Sequence, residues 1–212
     1  MKQIDFYLDF VSPFAYLALM RLPEELEGLS YLVHHKPFVL GAVLKTHQNP
    51  GPAGIPPKRD WTYRHCAWLG QTLGIPFQMP AQHPFNPIGL MRLALATSND
   101  GSINRHVAAT IFQHVFVGGA DANAVDRLPG LQAKLNLHHS PQDEAVKAML
   151  RQNTDTAQKA GVFGAPAFVV DGKVFWGFDS LPMLAAYLRG EPWFKAHWND
   201  PAGIQDGLKP AA

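Results

Sequence analysis

The sequence predicts an α/β fold in which both ends of the chain build one sheet and a large all-helical insertion separates them. Three observations carry that prediction. A β-rich run over Gln3–Phe10 leads straight into a helix-start signal at Ser12-Pro13. The segment from Lys58 to Ala160 is dominated by helical periodicity, and two later β-rich runs meet at Asp171-Gly172 before one more helical pattern.

The first run alternates and is rich in residues that suit a pleated, half-buried surface, so it reads as a strand. At Val11-Ser12-Pro13 the serine supplies a side-chain cap and the proline takes the first helical position. Phe14, Leu17, Ala18, Met20 and Arg21 carry the helix to a stop near Gly28. Leu29–Phe38 reads as a second strand, and pairing parallel to the first across that helix gives a right-handed βαβ unit. From Val39 to about Pro57 the chain is rich in Gly, Pro and Asn, which predicts a long functional loop. Helices are expected over Lys58–Leu73, Pro87–Ser98, Ile103–Phe116, Ala122–Leu135 and Gln142–Ala160. Asp171-Gly172 between Ala167–Val170 and Lys173–Trp176 is a strong short-range hairpin signal, and a last helix runs from Asp179-Ser180 to Arg189. The order βαβ, helical block, ββα is a thioredoxin-like plan. Residues 1–40 and 161–212 are expected to form a discontinuous thioredoxin-like domain, with 41–160 as the helical insertion. The tail after Trp193 is expected to wrap the surface or to be partly ordered.

Composition narrows the function classes. With 212 residues, 47% hydrophobic and 11% aromatic, the chain buries a real core, which excludes a disordered chain. A formal net charge of +1, with no Lys/Arg cluster beyond Lys58-Arg59, offers no field for tracking phosphates, so nucleic acid is not an expected partner. The N-terminal run is broken by Asp5 and Asp9 and reads as neither signal peptide nor anchor. No run approaches the roughly 18 apolar residues of a membrane-spanning helix, so no membrane is expected either. The single cysteine, Cys66, excludes an internal disulfide and any Cys-x-x-Cys pair, and cytoplasmic residence is the expectation. The adjacent pairs His34-His35 and His138-His139 lack ligand spacing, so no metal is expected.

Four segments resemble the family of 2-hydroxychromene-2-carboxylate isomerases and kappa-class glutathione transferases, within the DsbA-type thioredoxin folds. They are Asp5–Leu17 with its Ser12-Pro13-Phe14 core, Leu40–Lys45 with Asn49-Pro50, Gly161–Phe168, and Trp176–Asp179. The resemblance covers most of the chain. It implies a glutathione site built from the start of the first helix, the Pro166 loop and the Asp179 helix start, a hydrophobic pocket for a small aromatic second substrate, and a homodimer. It also implies chemistry without net redox change: reversible addition of the glutathione thiolate to a conjugated aromatic keto acid or its hemiketal, rotation, then elimination.

The residues carry this reading in different ways. Redox relatives start the helix with Cys-x-x-Cys, whereas this chain has Ser12-Pro13-Phe14-Ala15, so the sulfur is expected from glutathione. Ser12 is a helix cap, a hydroxyl donor to the thiolate as the catalytic residue, or both. Pro166 is an ordinary turn proline or, as the resemblance implies, follows a cis bond that offers the Ala165 backbone to glutathione. Asp179 and Ser180 cap a helix, or else its amides take the γ-glutamyl carboxylate while Asp179 faces the ammonium. Trp176 joins this glutathione-binding set, with Asn153 and Thr154 in the preceding helix as weaker members. Lys45 and Asn49 in the long loop are candidates for the substrate carboxylate, and Phe85 and Asn86 for the substrate pocket, although a capped helix entry also explains the latter pair. Cys66 beside Trp68 and Leu69 reads as packing. Two further readings stay open: a transferase that conjugates glutathione to electrophiles, and a non-catalytic thioredoxin-like module holding a peptide at the Pro166 loop.

Overall fold

The computed structural model describes residues 1–204. Its sheet has four strands in the order β2-β1-β3-β4: β1 (Lys2–Leu8), β2 (Tyr31–Pro37), β3 (Ala167–Val170) and β4 (Lys173–Trp176). β1 pairs parallel to β2 and antiparallel to β3, with Phe6 opposite Phe168, and β3 turns antiparallel into β4 with Ala167 opposite Trp176. The two ends of the chain therefore meet at the β1–β3 seam. At the hairpin tip Asp171 and Gly172 both take positive φ (49° and 73°), the conformation that makes Asp-Gly so strong a turn.

The first strand stops at Leu8, two residues earlier than its apolar pattern suggested, because Asp9 turns the chain. Its backbone C=O accepts from Ser12 N–H at 2.9 Å and its carboxylate from Val11 N–H at 3.0 Å. Helix α1 (Pro13–Glu25) follows with Ser12 as N-cap. Between β2 and β3 all named elements are helical: α2 (Leu40–Thr46), α3 (Pro56–Thr72), α4 (Ile88–Leu95), α5 (Arg105–Phe116), α6 (Leu128–Gln132) and α7 (Glu144–Lys159). After β4 come α8 (Leu181–Leu188) and α9 (Trp193–His197).

Two expectations need correction. The segment 39–57 is not loop throughout: Leu40–Thr46 is helical, with one 3-10 turn at Pro52–Gly54. Tertiary partners explain this, since Thr154 Oγ1 takes Val39 N–H at 3.0 Å and Asp9 takes Leu40 N–H at 2.9 Å, satisfying amides that an isolated short helix leaves bare. Conversely, the helix expected over Ala122–Leu135 shrinks to Leu128–Gln132. Asp121 draws Asn123 N–H into a side-chain turn, and the Arg127 guanidinium holds the Asp121 and His114 carbonyls, so the preceding residues are spent in turns. The tail after Trp193 packs in part: Phe194 is buried and its ring meets Tyr187 and Trp198, while residues 205–212 lie outside the described chain.

The main apolar core runs through sheet and helices, with smaller clusters around Tyr7 and Phe38 and around Leu17 and Cys66. Phe112 of α5 is fully buried against Phe10 (4.8 Å between ring centroids) and Tyr16 (5.8 Å), so the helical block leans on the very segment that ends β1 and starts α1. On the other face α7 packs against β2, α2 and α4. Among the described residues no helix is long and apolar enough to cross a membrane.

Candidate functional site

Ser12 stands at the carboxyl end of β1, at the start of α1 in the parallel β1–α1–β2 unit. It is 6% exposed. Its Oγ accepts from Ala15 N–H at 3.2 Å and donates to the Ala165 carbonyl at 3.2 Å. The serine is thus a cap and a hydroxyl donor at once, and that donation crosses 153 residues of sequence. The positive end of α1 favours an anion at the same spot.

The partner loop is fixed by the sheet. Ala165-Pro166 is a cis peptide, Pro166 is buried, and its carbonyl accepts Gly177 N–H at 2.9 Å. That bond ties the Pro166 loop to the end of β4. Trp176 is half exposed and its ring meets Phe163 at 4.9 Å. Gly164 is closed in by the same indole, so no larger residue fits there. Gly177 at φ 95° turns the chain into Asp179, which is exposed, while Ser180 Oγ donates back to the Gly177 carbonyl at 2.8 Å. Ser12, Ala165, Pro166, Trp176, Asp179 and Ser180 thereby form one contiguous edge.

Asn153 does not belong to that edge. It is buried, and its Nδ2 donates to the Pro37 carbonyl at 3.0 Å and the Gly101 carbonyl at 2.8 Å. Its amide protons are committed to joining β2 to the 98–101 turn, which makes it a structural link. Thr154 is spent likewise on Val39 N–H and the Leu150 carbonyl. Lys45 lies exposed in the last turn of α2 with no ion pair among the described residues. Asn49 closes the following turn by accepting Gly51 N–H at 2.8 Å. Phe85 packs on the main core, and Asn86 accepts Ile88 N–H at 3.1 Å as the entry to α4.

Sequence reasoning missed two groups next to Ser12. Asp9 is 1% exposed, and burial pushes its carboxyl pKa up to about 7 even though the Val11 and Leu40 amides pull it down. His83 Nε2 lies 2.7 Å from the Val11 carbonyl and its Nδ1 lies 2.7 Å from the Tyr63 hydroxyl. Burial lowers the His83 pKa. An acid inside an apolar run and a histidine ahead of Pro84 were the available signals, and neither names its partner in sequence. Cys66 is fully buried with its thiol pushed up to about 12 by burial, so it supplies no thiolate.

Comparison with known proteins matches this geometry. A family model described as a DSBA-like thioredoxin domain matches residues 3–189. The 2-hydroxychromene-2-carboxylate isomerase of Sphingobium xenophagum is 27% identical over 194 residues, covering 88% of this chain and 98% of the relative. Glutathione S-transferase kappa 2 of Caenorhabditis elegans is 27% identical over 208 residues, covering 88% and 92%. The solved structure of a 2-hydroxychromene-2-carboxylate isomerase superposes with a TM-score of 0.75 at 23% identity, over 92% of this chain and 98% of that one, which is a likeness of fold. The resemblance read from the four sequence segments and these comparisons agree. With a four-stranded sheet, a Ser-Pro helix start and a family match spanning nearly its whole length, the chain belongs to the DSBA-like thioredoxin domain family.

Proposed function

We propose that this chain is a glutathione-dependent isomerase of the 2-hydroxychromene-2-carboxylate isomerase type, acting in the cytoplasm as a homodimer on a small aromatic keto acid or its hemiketal. The observation that carries the reading is the Ser12 hydroxyl, held at a helix start against the Ala165 carbonyl where redox relatives carry cysteine. The names of the relatives support glutathione chemistry of this kind.

The residues fit the tripeptide. The Ala165 backbone beside Pro166 suits the cysteinyl amide, and the turn carrying Asp179 and Ser180 suits the γ-glutamyl end, with the Trp176 indole as a wall. Glutathione supplies a thiol that adds reversibly to a conjugated carbonyl. Ser12 and the positive end of the α1 dipole favour the anionic sulfur over the thiol, which lowers the barrier by holding a charge in place before reaction. For this the Ser12 proton must leave the Ala165 carbonyl, an exchange of one acceptor for a stronger, charged one. Lys45, exposed on α2 with no ion pair among the described residues, is the cation we assign to the substrate carboxylate, and Phe85 and Asn86, with Asn49, are assigned to the substrate side.

Titration of the protein with reduced glutathione tests the reading, with S-methylglutathione and Ser12→Ala alongside. Saturable binding that weakens when the thiol is capped, and a fall of about 10- to 100-fold in turnover of 2-hydroxychromene-2-carboxylate by Ser12→Ala, is the expected result. No binding at millimolar glutathione overturns it. The kappa-type relatives favour a second outcome at the same site, conjugation to electrophiles. A stable thioether seen by mass spectrometry identifies that outcome, whereas product formed without glutathione consumption identifies the isomerase.

A further inference from the structure

We propose that His83 is a positioning residue for Ser12, acting through the Val11–Ser12 peptide; this rests on the glutathione reading above. The Val11 carbonyl can only accept a hydrogen bond, so the His83 nitrogen at 2.7 Å from it, Nε2, carries the ring proton. Nδ1 is then a lone pair, and the Tyr63 hydroxyl at 2.7 Å donates to it. Tyr63 Oη also lies 3.0 Å from the His83 carbonyl, so its one proton is shared between ring nitrogen and backbone oxygen, with Nδ1 the nearer.

The geometry matters because of what stands on the other side. Val11 N–H is held by the Asp9 carboxylate at 3.0 Å, and Ser12 N–H by the Asp9 carbonyl at 2.9 Å. The Val11 residue is thus fixed at its N–H by Asp9 and at its C=O by His83, which sets the plane of the peptide carrying Ser12. That plane aims Ser12 Oγ at the Ala165 carbonyl. A serine whose task is to meet a sulfur anion loses much of its effect from displacement by about 1 Å.

The imidazole does this as a neutral ring. Burial is the dominant influence and favours that form, although the hydrogen bond to the Val11 carbonyl pulls the other way. His83 has both nitrogens engaged and none free for substrate, so it is not a catalytic base.

The test compares wild type with His83→Leu, His83→Gln and Tyr63→Phe. Two quantities are read for each: the thiolate fraction of bound glutathione at pH 7 from its ultraviolet band, and the affinity for S-methylglutathione. We expect His83→Leu to lose the thiolate fraction by about tenfold with S-methylglutathione affinity within about twofold. His83→Gln, whose amide N–H can still reach the Val11 carbonyl, recovers most of it, and Tyr63→Phe falls between. An undiminished thiolate fraction in His83→Leu, or in Tyr63→Phe should the leucine variant not fold, overturns the proposal. If wild type binds no glutathione, the functional reading fails separately. Nitrogen NMR of the ligand-free protein then decides: an Nε2-protonated His83 and faster amide exchange at Val11 and Ser12 in the variants are expected, and a Nδ1-protonated ring or unchanged exchange overturns the proposal.

Discussion

At the scale of single residues, Asp9 is the acid whose ionisation the fold resists most visibly. It is buried at the turn that sets Ser12, with a pKa raised to about 7 in the folded chain against about 4 in the unfolded one. The unfolded state therefore releases its proton first. The stability this group confers is complete below about pH 4 and is lost as pH rises through 7, at up to about 1.4 kcal/mol per pH unit. Urea midpoints measured from pH 5 to 8 should fall in wild type relative to Asp9→Asn, which cannot ionise; parallel curves would show that Asp9 is already charged in the fold. Burial acts on Cys66 in the same direction. Its thiol is buried and pushed up to about 12, so a disulfide reagent should stay silent with native protein and react with one thiol on unfolding.

At the scale of elements, the predictions concern how turns deliver side chains to the site. Gly177 at φ 95° ends β4, and a methyl group there would run into the Asp179 carboxylate. Gly28 at φ 76° follows α1, and a methyl there meets nothing within 4 Å. Alanine at either position should cost about 1–2 kcal/mol of stability from the left-handed backbone. Only Gly177→Ala should weaken glutathione binding, by about tenfold, because only it displaces Asp179. Equal affinity in the two variants would remove Asp179 from the ligand set. The elements also show where local reading succeeds. α1 and the β3–β4 hairpin were legible because Ser12-Pro13 and Asp171-Gly172 act through their own backbone geometry. α2 was not, because its first amides are satisfied by Asp9 and Thr154, residues 31 and 115 positions away.

At the scale of the whole molecule, the two ends and the helical block share one core, and Phe112 is its hinge pin between them. Truncation to alanine removes contacts with Phe10, Tyr16 and Phe116 and should cost about 3–5 kcal/mol, read as a lower urea midpoint in a single transition. Two separated transitions would mean that the helical block folds apart from the sheet. The sequence by itself determined the α/β class, the insertion between β2 and β3, the Ser12-Pro13 helix start and the family resemblance. Each of these rests on periodicity or on a local motif, which neighbouring residues express without help. Only the tertiary structure decided that Ser12 meets Ala165, that Asn153 joins β2 to a distant turn, and that Asp9 and His83 grip the Val11 peptide from both sides. Those are hydrogen bonds between groups 52 to 153 residues apart, save for that of Asp9 to Val11. A linear pattern records the donors and acceptors, and the closing of the chain on itself chooses their partners.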